Sequence, residues 1–148
     1  MITKIPILLE SVQDQGFHLF VEGKINGKEV NLLLDTGASR TVFDLSKMQI
    51  LLPESEFIPN EELSTGLGTN SMESQGLLLE EFQLGDIILE NYTAVALNMQ
   101  HVNESYEMLG LNQIDGVLGS DVLKKYKAVI HFARKELKLT YREKSSKR

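Results

Sequence analysis

Residues Val30–Asp44, VNLLLDTGASRTVFD, deliver an acid to the end of an apolar run. Leu32, Leu33 and Leu34 lead directly into Asp35, and Thr36, Gly37, Ala38 and Ser39 supply a small, turn-forming exit behind it. A carboxylate in that position costs free energy unless it is paired, hydrogen-bonded or put to chemical use. The run before it is set as a strand by its upstream neighbour. In GFHLFVEGKINGKEVNLLLD, Asn26-Gly27 separates two β-prone segments, and this dipeptide is the strongest short hairpin signal because both turn positions tolerate positive φ. Strand, tight turn, strand and acid therefore follow one another within Gly16–Asp35.

Most of the remaining chain also reads as strands. TVFDLSKMQ predicts a short helical turn over Asp44–Met48. The polar stretch PESEFIPNEELSTGLGTNSMESQG, with Gly66, Gly68 and Gly76, has no room for a long helix. LLLEEFQLGDIILENYTAVALN predicts a second hairpin turning at Gly85-Asp86, with Leu77, Leu79, Leu84, Ile87, Leu89 and Val95 offered to the core. HVNESYEMLGLN admits a helical turn from Asn103. In IDGVLGSDVLKKYKAVIHF, Val117 and Leu118 run into Gly119, and Ser120 and Asp121 offer N-cap chemistry for a helix to about Lys127. Lys124, Lys125 and Lys127 suit the C-terminal half of that helix, and a strand over Ala128–Phe132 follows. Asp115 and Asp121 read first as a turn acid and a helix cap.

Composition limits the chemistry. A chain of 148 residues with 42% apolar and 24% charged residues fits one globular domain, residues 1–148, ending in a frayed basic tail from about 142. The absence of cysteine excludes disulfide scaffolds, thiolate zinc sites and cysteine nucleophiles together. His18, His101 and His131 are too scattered for a metal-ligand spacing, so neither metal nor cofactor is expected. Ten of the fifteen basic residues fall in Asp121–Arg148 against three acids, leaving five basic and eighteen acidic residues before them. That basic end lacks aromatic interleaving beyond Tyr126, Phe132 and Tyr141, and with a net charge of −6 no nucleic-acid partner is expected. In MITKIPILLESVQDQ, Glu10 and Gln13 interrupt the apolar run too early for a signal peptide or a membrane span, so no membrane is expected and a cytoplasmic location is.

Taken in order, Asp35-Thr36-Gly37-Ala38-Ser39 after an apolar strand, the glycine-bearing loop Gly66-Leu67-Gly68, and Val117-Leu118-Gly119 before a short helix resemble the retropepsin-like aspartic proteases. The likeness covers roughly Gly16–Tyr141. It implies an all-β fold, a closed and mainly antiparallel barrel with one short C-terminal helix, in which Gly119 and the apolar pair before it support the loop that holds Asp35. It also implies a flap at Gly66–Asn70 that covers an extended peptide or protein substrate, with Leu67 at its tip. Ser120 stands where many retroviral members carry an arginine that braces the dimer.

Aspartic proteases hydrolyse peptides with two facing carboxylates that share one proton, one activating water while the other protonates or polarises the carbonyl. The chain contains Asp-Thr-Gly once and is about half as long as two such lobes require, so a homodimer is expected to bring Asp35 from each copy together across a two-fold axis. The resemblance then implies that Thr36 hydroxyls cross-brace the two loops, that the Gly37 N–H steadies the carboxylates, and that Ala38, Ser39, Gly66, Leu67, Gly68 and Val117 lie along the substrate. Ala38 occupies a position where acid-working members carry a serine that donates to the catalytic carboxylate, so activity nearer neutral pH is expected. Three alternatives remain open: Asp35 as a structural turn residue, a weak or inactive dimeric peptide-binding scaffold of the same fold, and a metal hydrolase.

Overall fold

The computed structural model describes residues 1–59 and 74–143. The flap residues Gly66, Leu67 and Gly68 lie outside the described residues, as do residues 144–148 of the basic tail. The hairpin at Asn26-Gly27 forms as the dipeptide requires. Strands β1 (Ile2–Pro6) and β2 (Leu8–Ser11) precede it, and it joins β3 (Phe17–Ile25) to β4 (Lys28–Leu34) with Ile25 opposite Lys28. Asn26 and Gly27 take φ of 50° and 81°, the two positive values of the favoured hairpin turn.

The next elements are β5 (Val42–Asp44), helix α1 (Leu45–Leu51), the two-residue β6 (Ile58–Pro59), and the long pair β7 (Ser74–Leu84) and β8 (Ile87–Leu97). Leu84 faces Ile87 across the Gly85-Asp86 turn, as the sequence predicts. Helix α2 (Gln100–Met108), β9 (Gly116–Leu118), helix α3 (Ser120–Lys125), β10 (Val129–His131) and β11 (Glu136–Thr140) complete the order. Six strands run β3-β4-β9-β5-β8-β7, and β7 returns to β3 through Lys24 opposite Gln83 and Ile25 opposite Phe82, which closes the barrel. The expected closed β fold is therefore present, with two parallel pairings inside it, β4 with β9 and β5 with β8. A separate sheet, β1-β11-β10, pairs Ile2–Pro6 with Glu136–Thr140.

Alternation along β4 sorts its side chains between two apolar clusters. Val30, Leu32 and Leu34 enter the main core with Ile25, Phe43, Leu79, Phe82 and Leu118, whereas Leu33 faces a second cluster on the opposite surface. Fully buried residues such as Leu32, Leu79 and Phe82 contribute about 1.5–3 kcal/mol each. Of the six predicted core residues in the second hairpin, five are buried and Leu89 is half-buried against the core.

Among the described residues three helices stand where the resemblance implies one, because α1 and α2 form as well. Helix α1 grows from the predicted turn at Asp44, whose carboxylate accepts the Lys47 N–H as a side-chain cap. Helix α2 has no side-chain cap; it is pinned by Asn103, whose amide accepts the Ile114 N–H at 2.7 Å and donates to the Ile114 carbonyl at 3.1 Å. The cap of α3 differs from expectation. Gly119, in extended backbone, is the N-cap, and Ser120 and Asp121 sit inside the first turn. Asp121 instead accepts from the Thr41 hydroxyl and the Val122 N–H. The helix stops at Lys125, short of Lys127, which turns the chain at a φ of 50°. Among the described residues, no helix is long and apolar enough to cross a membrane.

Candidate active site

Strand β9 lies between β4 and β5, parallel to the first, with Leu33 opposite Val117, and antiparallel to the second, with Val42 opposite Val117. The chain leaving β4 must therefore pass over the end of β9 before it returns as β5. That bridge starts at Asp35, whose backbone N–H donates to the Leu118 carbonyl at 3.1 Å. Gly119 lies directly beneath the bridge. A Cβ there would stand 2.6 Å from the Arg40 carbonyl carbon and oxygen and 2.9 Å from the Ala38 carbonyl oxygen, which leaves room for hydrogen alone. Three further bonds tie the bridge down. Ser120 N–H donates to the Ala38 carbonyl at 2.7 Å, Gly119 N–H donates to the Thr41 hydroxyl oxygen at 2.9 Å, and that hydroxyl donates to Asp121 at 2.8 Å. Asp115 does the work of a turn acid at the other end of β9, where its carboxylate accepts the Asn31 N–H at 2.7 Å.

Asp35 is half-buried at the start of the bridge, and its Oδ1 accepts the Gly37 N–H at 2.9 Å. Among the described residues, Oδ2 has no hydrogen-bond partner. Thr36, Gly37 and Ser39 are exposed and Ala38 is half-buried, so the loop presents its backbone and one carboxylate oxygen outward. Val117 is half-buried in the second cluster, on the surface that also carries Asp35.

That surface holds two residues that no motif announced. Leu33 and Asp35 share one face of the β4 segment by the two-residue period, and Phe20, Leu33, Val117 and Val42 form a row across four neighbouring strands on that face. Helix α2 covers the row with Tyr106, whose ring meets Phe20 edge-on at 5.8 Å between centroids and His18 at 5.4 Å. The Tyr106 hydroxyl and His18 Nδ1 are 2.9 Å apart. Burial, and after it the negative charge of Asp35, raises the Tyr106 pKa, so this phenol stays protonated and able to donate through the ordinary pH range. His18 shares a strand face with Phe20, which the spacing could have suggested; Tyr106 has no local sequence signal. Among the described residues, no cluster of three or more acidic, histidine or cysteine side chains is placed to hold a metal ion.

A sequence model of the aspartyl protease family matches residues 21–122, a span that contains both the Asp35 bridge and the Gly119 support. The chain belongs to the aspartyl protease family. Its fold is retropepsin-like. The aspartyl protease chain is similar to a retropepsin-like aspartic protease from Rickettsia conorii, with a TM-score of 0.53 and 16% identity over 94% of this chain and 91% of that one. It is also similar to the retroviral protease-like domain of Ddi1 from Leishmania major, with a TM-score of 0.52 and 14% identity over 87% of this chain and 97% of that domain. A sequence search among curated proteins gives no match.

Proposed function

We propose that this member of the aspartyl protease family is an aspartic endopeptidase whose water-activating pair is formed by Asp35 from each of two copies of the chain. The observation that carries the reading is the state of Asp35: a single carboxylate on a loop braced from below, with one oxygen held by the Gly37 N–H and the other without a partner among the described residues. A second such loop facing it would place two carboxylates about 3 Å apart, a separation at which like charges share one proton. The ionised member then takes a proton from water as the water attacks the peptide carbonyl, and the protonated member hydrogen-bonds the developing oxyanion.

Thr36 is exposed at the tip of the loop, where its hydroxyl would bridge to the partner loop, and Gly37 would hold each carboxylate in plane with the other. Ala38, Ser39 and Val117 would flank an extended peptide. The test is activity against concentration. Specific activity rises as the chains associate, and inactive Asp35→Asn chains mixed with wild type lower activity more than dilution alone. Activity per chain that stays constant through a dilution range in which sedimentation records only monomers would refute the shared site.

A further inference from the structure

We propose that His18, held by Tyr106, is a specificity-determining residue of the Asp35 cleft and selects a substrate side chain that ends in a carboxamide. The inference rests on the reading of Asp35 as the hydrolytic centre. Phe20 pairs with Leu33 across β3 and β4, and continuing that antiparallel register by two residues sets His18 opposite Asp35. Both project from the face that α2 covers, since His18 alternates with Phe20 and Asp35 with Leu33. His18 is half-buried, and of its two ring nitrogens Nδ1 is engaged by the Tyr106 hydroxyl at 2.9 Å. Among the described residues, Nε2 has no partner.

When the phenol donates to Nδ1, the neutral imidazole carries its proton on Nε2, and the ring offers a donor beside Asp35. An acceptor on the substrate is the natural complement of that donor. A carboxylate is the poorer acceptor here, because Glu10 faces His18 from β2 and Asp35 lies on its other side, so two acids already share the row. A carboxamide supplies the acceptor without the repulsion. The surrounding Phe20, Leu33 and Val117 give its methylene stem an apolar bed. Tyr106, packed in the second cluster, fixes the imidazole plane and so keeps the donor aimed.

The test compares peptides that carry Gln, Met or Glu at each position flanking the scissile bond, Gln and Met being close in size. Wild type favours Gln over Met at one position by about five- to tenfold, the effect of one net hydrogen bond, and the gain falls on KM rather than kcat. Glu at that position ranks below Gln. His18→Phe keeps a ring but removes the donor and brings the Gln to Met ratio to about one; Tyr106→Phe keeps the packing but frees the imidazole and reduces the ratio part-way. A role in packing alone would lower turnover of both peptides equally, and either that result or a ratio that survives His18→Phe overturns the proposal. The same Gln and Met pair built around a reduced, uncleavable peptide bond and titrated calorimetrically into wild type and Asp35→Asn separates the two readings. Absence of Asp35-dependent cleavage removes the proposed hydrolysis, whereas a Gln preference in binding that is lost in His18→Phe still supports the selection, and equal binding of the pair overturns it.

Discussion

Asp35 and Asp44 stand nine residues apart and bracket the two ends of β9, yet the fold treats them oppositely. Asp44 donates its N–H to the Asp115 carbonyl before β9, and its side chain is only 2% exposed. Its Oδ1 accepts the Met99 N–H at 2.8 Å, and its Oδ2 accepts the Ser46 hydroxyl at 2.7 Å and the Lys47 N–H at 3.0 Å. Asp35, beside the far end of β9, has the Gly37 N–H on one oxygen and a free oxygen beside it among the described residues. A carboxylate whose oxygens are all engaged holds structure together; one left partly unsatisfied at a braced and accessible site is available for chemistry. Burial alone ranks Asp44 above Asp35.

The largest expected effect separates the two acids by activity. Asp35→Asn should reduce cleavage by about 10²–10⁴-fold, the usual range for a lost acid-base group. Its unfolding free energy should move by no more than about 0.5 kcal/mol, as for other substitutions away from the core. A large loss of stability in a urea titration would mean that Asp35 is a structural turn residue after all. The reverse signature belongs to Asp44→Ala. Removing its carboxylate strands the buried Met99 N–H and the part-buried Lys47 N–H and should cost about 3–5 kcal/mol in the same titration, with any activity loss following the unfolded fraction.

A smaller effect is expected beneath the bridge. Gly119→Ala sets a methyl against the Arg40 and Ala38 backbone and should cost about 1–3 kcal/mol of overpacking strain. It should also lower kcat more than the stability change accounts for, because the displaced backbone carries Asp35. Unchanged kcat in the folded variant would show that the bridge tolerates displacement. The smallest effect concerns Ala38, whose N–H donates to the Asp35 carbonyl at 3.2 Å. Ala38→Ser adds a hydroxyl that favours the ionised carboxylate, so the alkaline limb of the kcat/KM profile should move down by about half to one unit. An unmoved limb, or one shifted upward, would mean that something other than this missing donor sets the pH range.

The parts of the fold legible in the sequence are those specified locally. Asn26-Gly27 and Gly85-Asp86 determine their hairpins because the turn residues carry the required backbone angles themselves. The link between Asp35 and Gly119 was legible only through the family resemblance, and the structure supplies its reason, since a Cβ at Gly119 would collide with the backbone of the bridge. Helix α2 was reduced to a turn from Asn103 because its start carries only a weak local signal, the Asn98 side-chain oxygen that accepts the Gln100 N–H at 2.9 Å. Its cap residue, Met99, makes no side-chain cap bond, and the helix is held by Asn103 and Tyr106 reaching distant backbone and side chains. For the same reason the pairing of His18 with Tyr106 was not legible, the two being 88 positions apart and brought together only by the fold. The cap of α3 was misplaced onto Ser120 and Asp121 because composition favours them, whereas close packing under Arg40 reserves the position for Gly119.

The insertion of β9 between β4 and β5 also sets an order of events during synthesis. Asn31 is tied to Asp115 across 84 positions, and Asp35 to Leu118 across a similar interval, so the hairpin carrying the acid emerges long before the strand that supports it. Until residues 116–119 arrive, β4 and β5 have no partner between them and the aspartate loop has nothing beneath it. Contacts this distant are slow to form, and they make the wedge strand a late step in folding. On the proposed reading of Asp35, a nascent chain therefore stays unable to cut until residues 116–119 have joined the sheet beneath the aspartate loop.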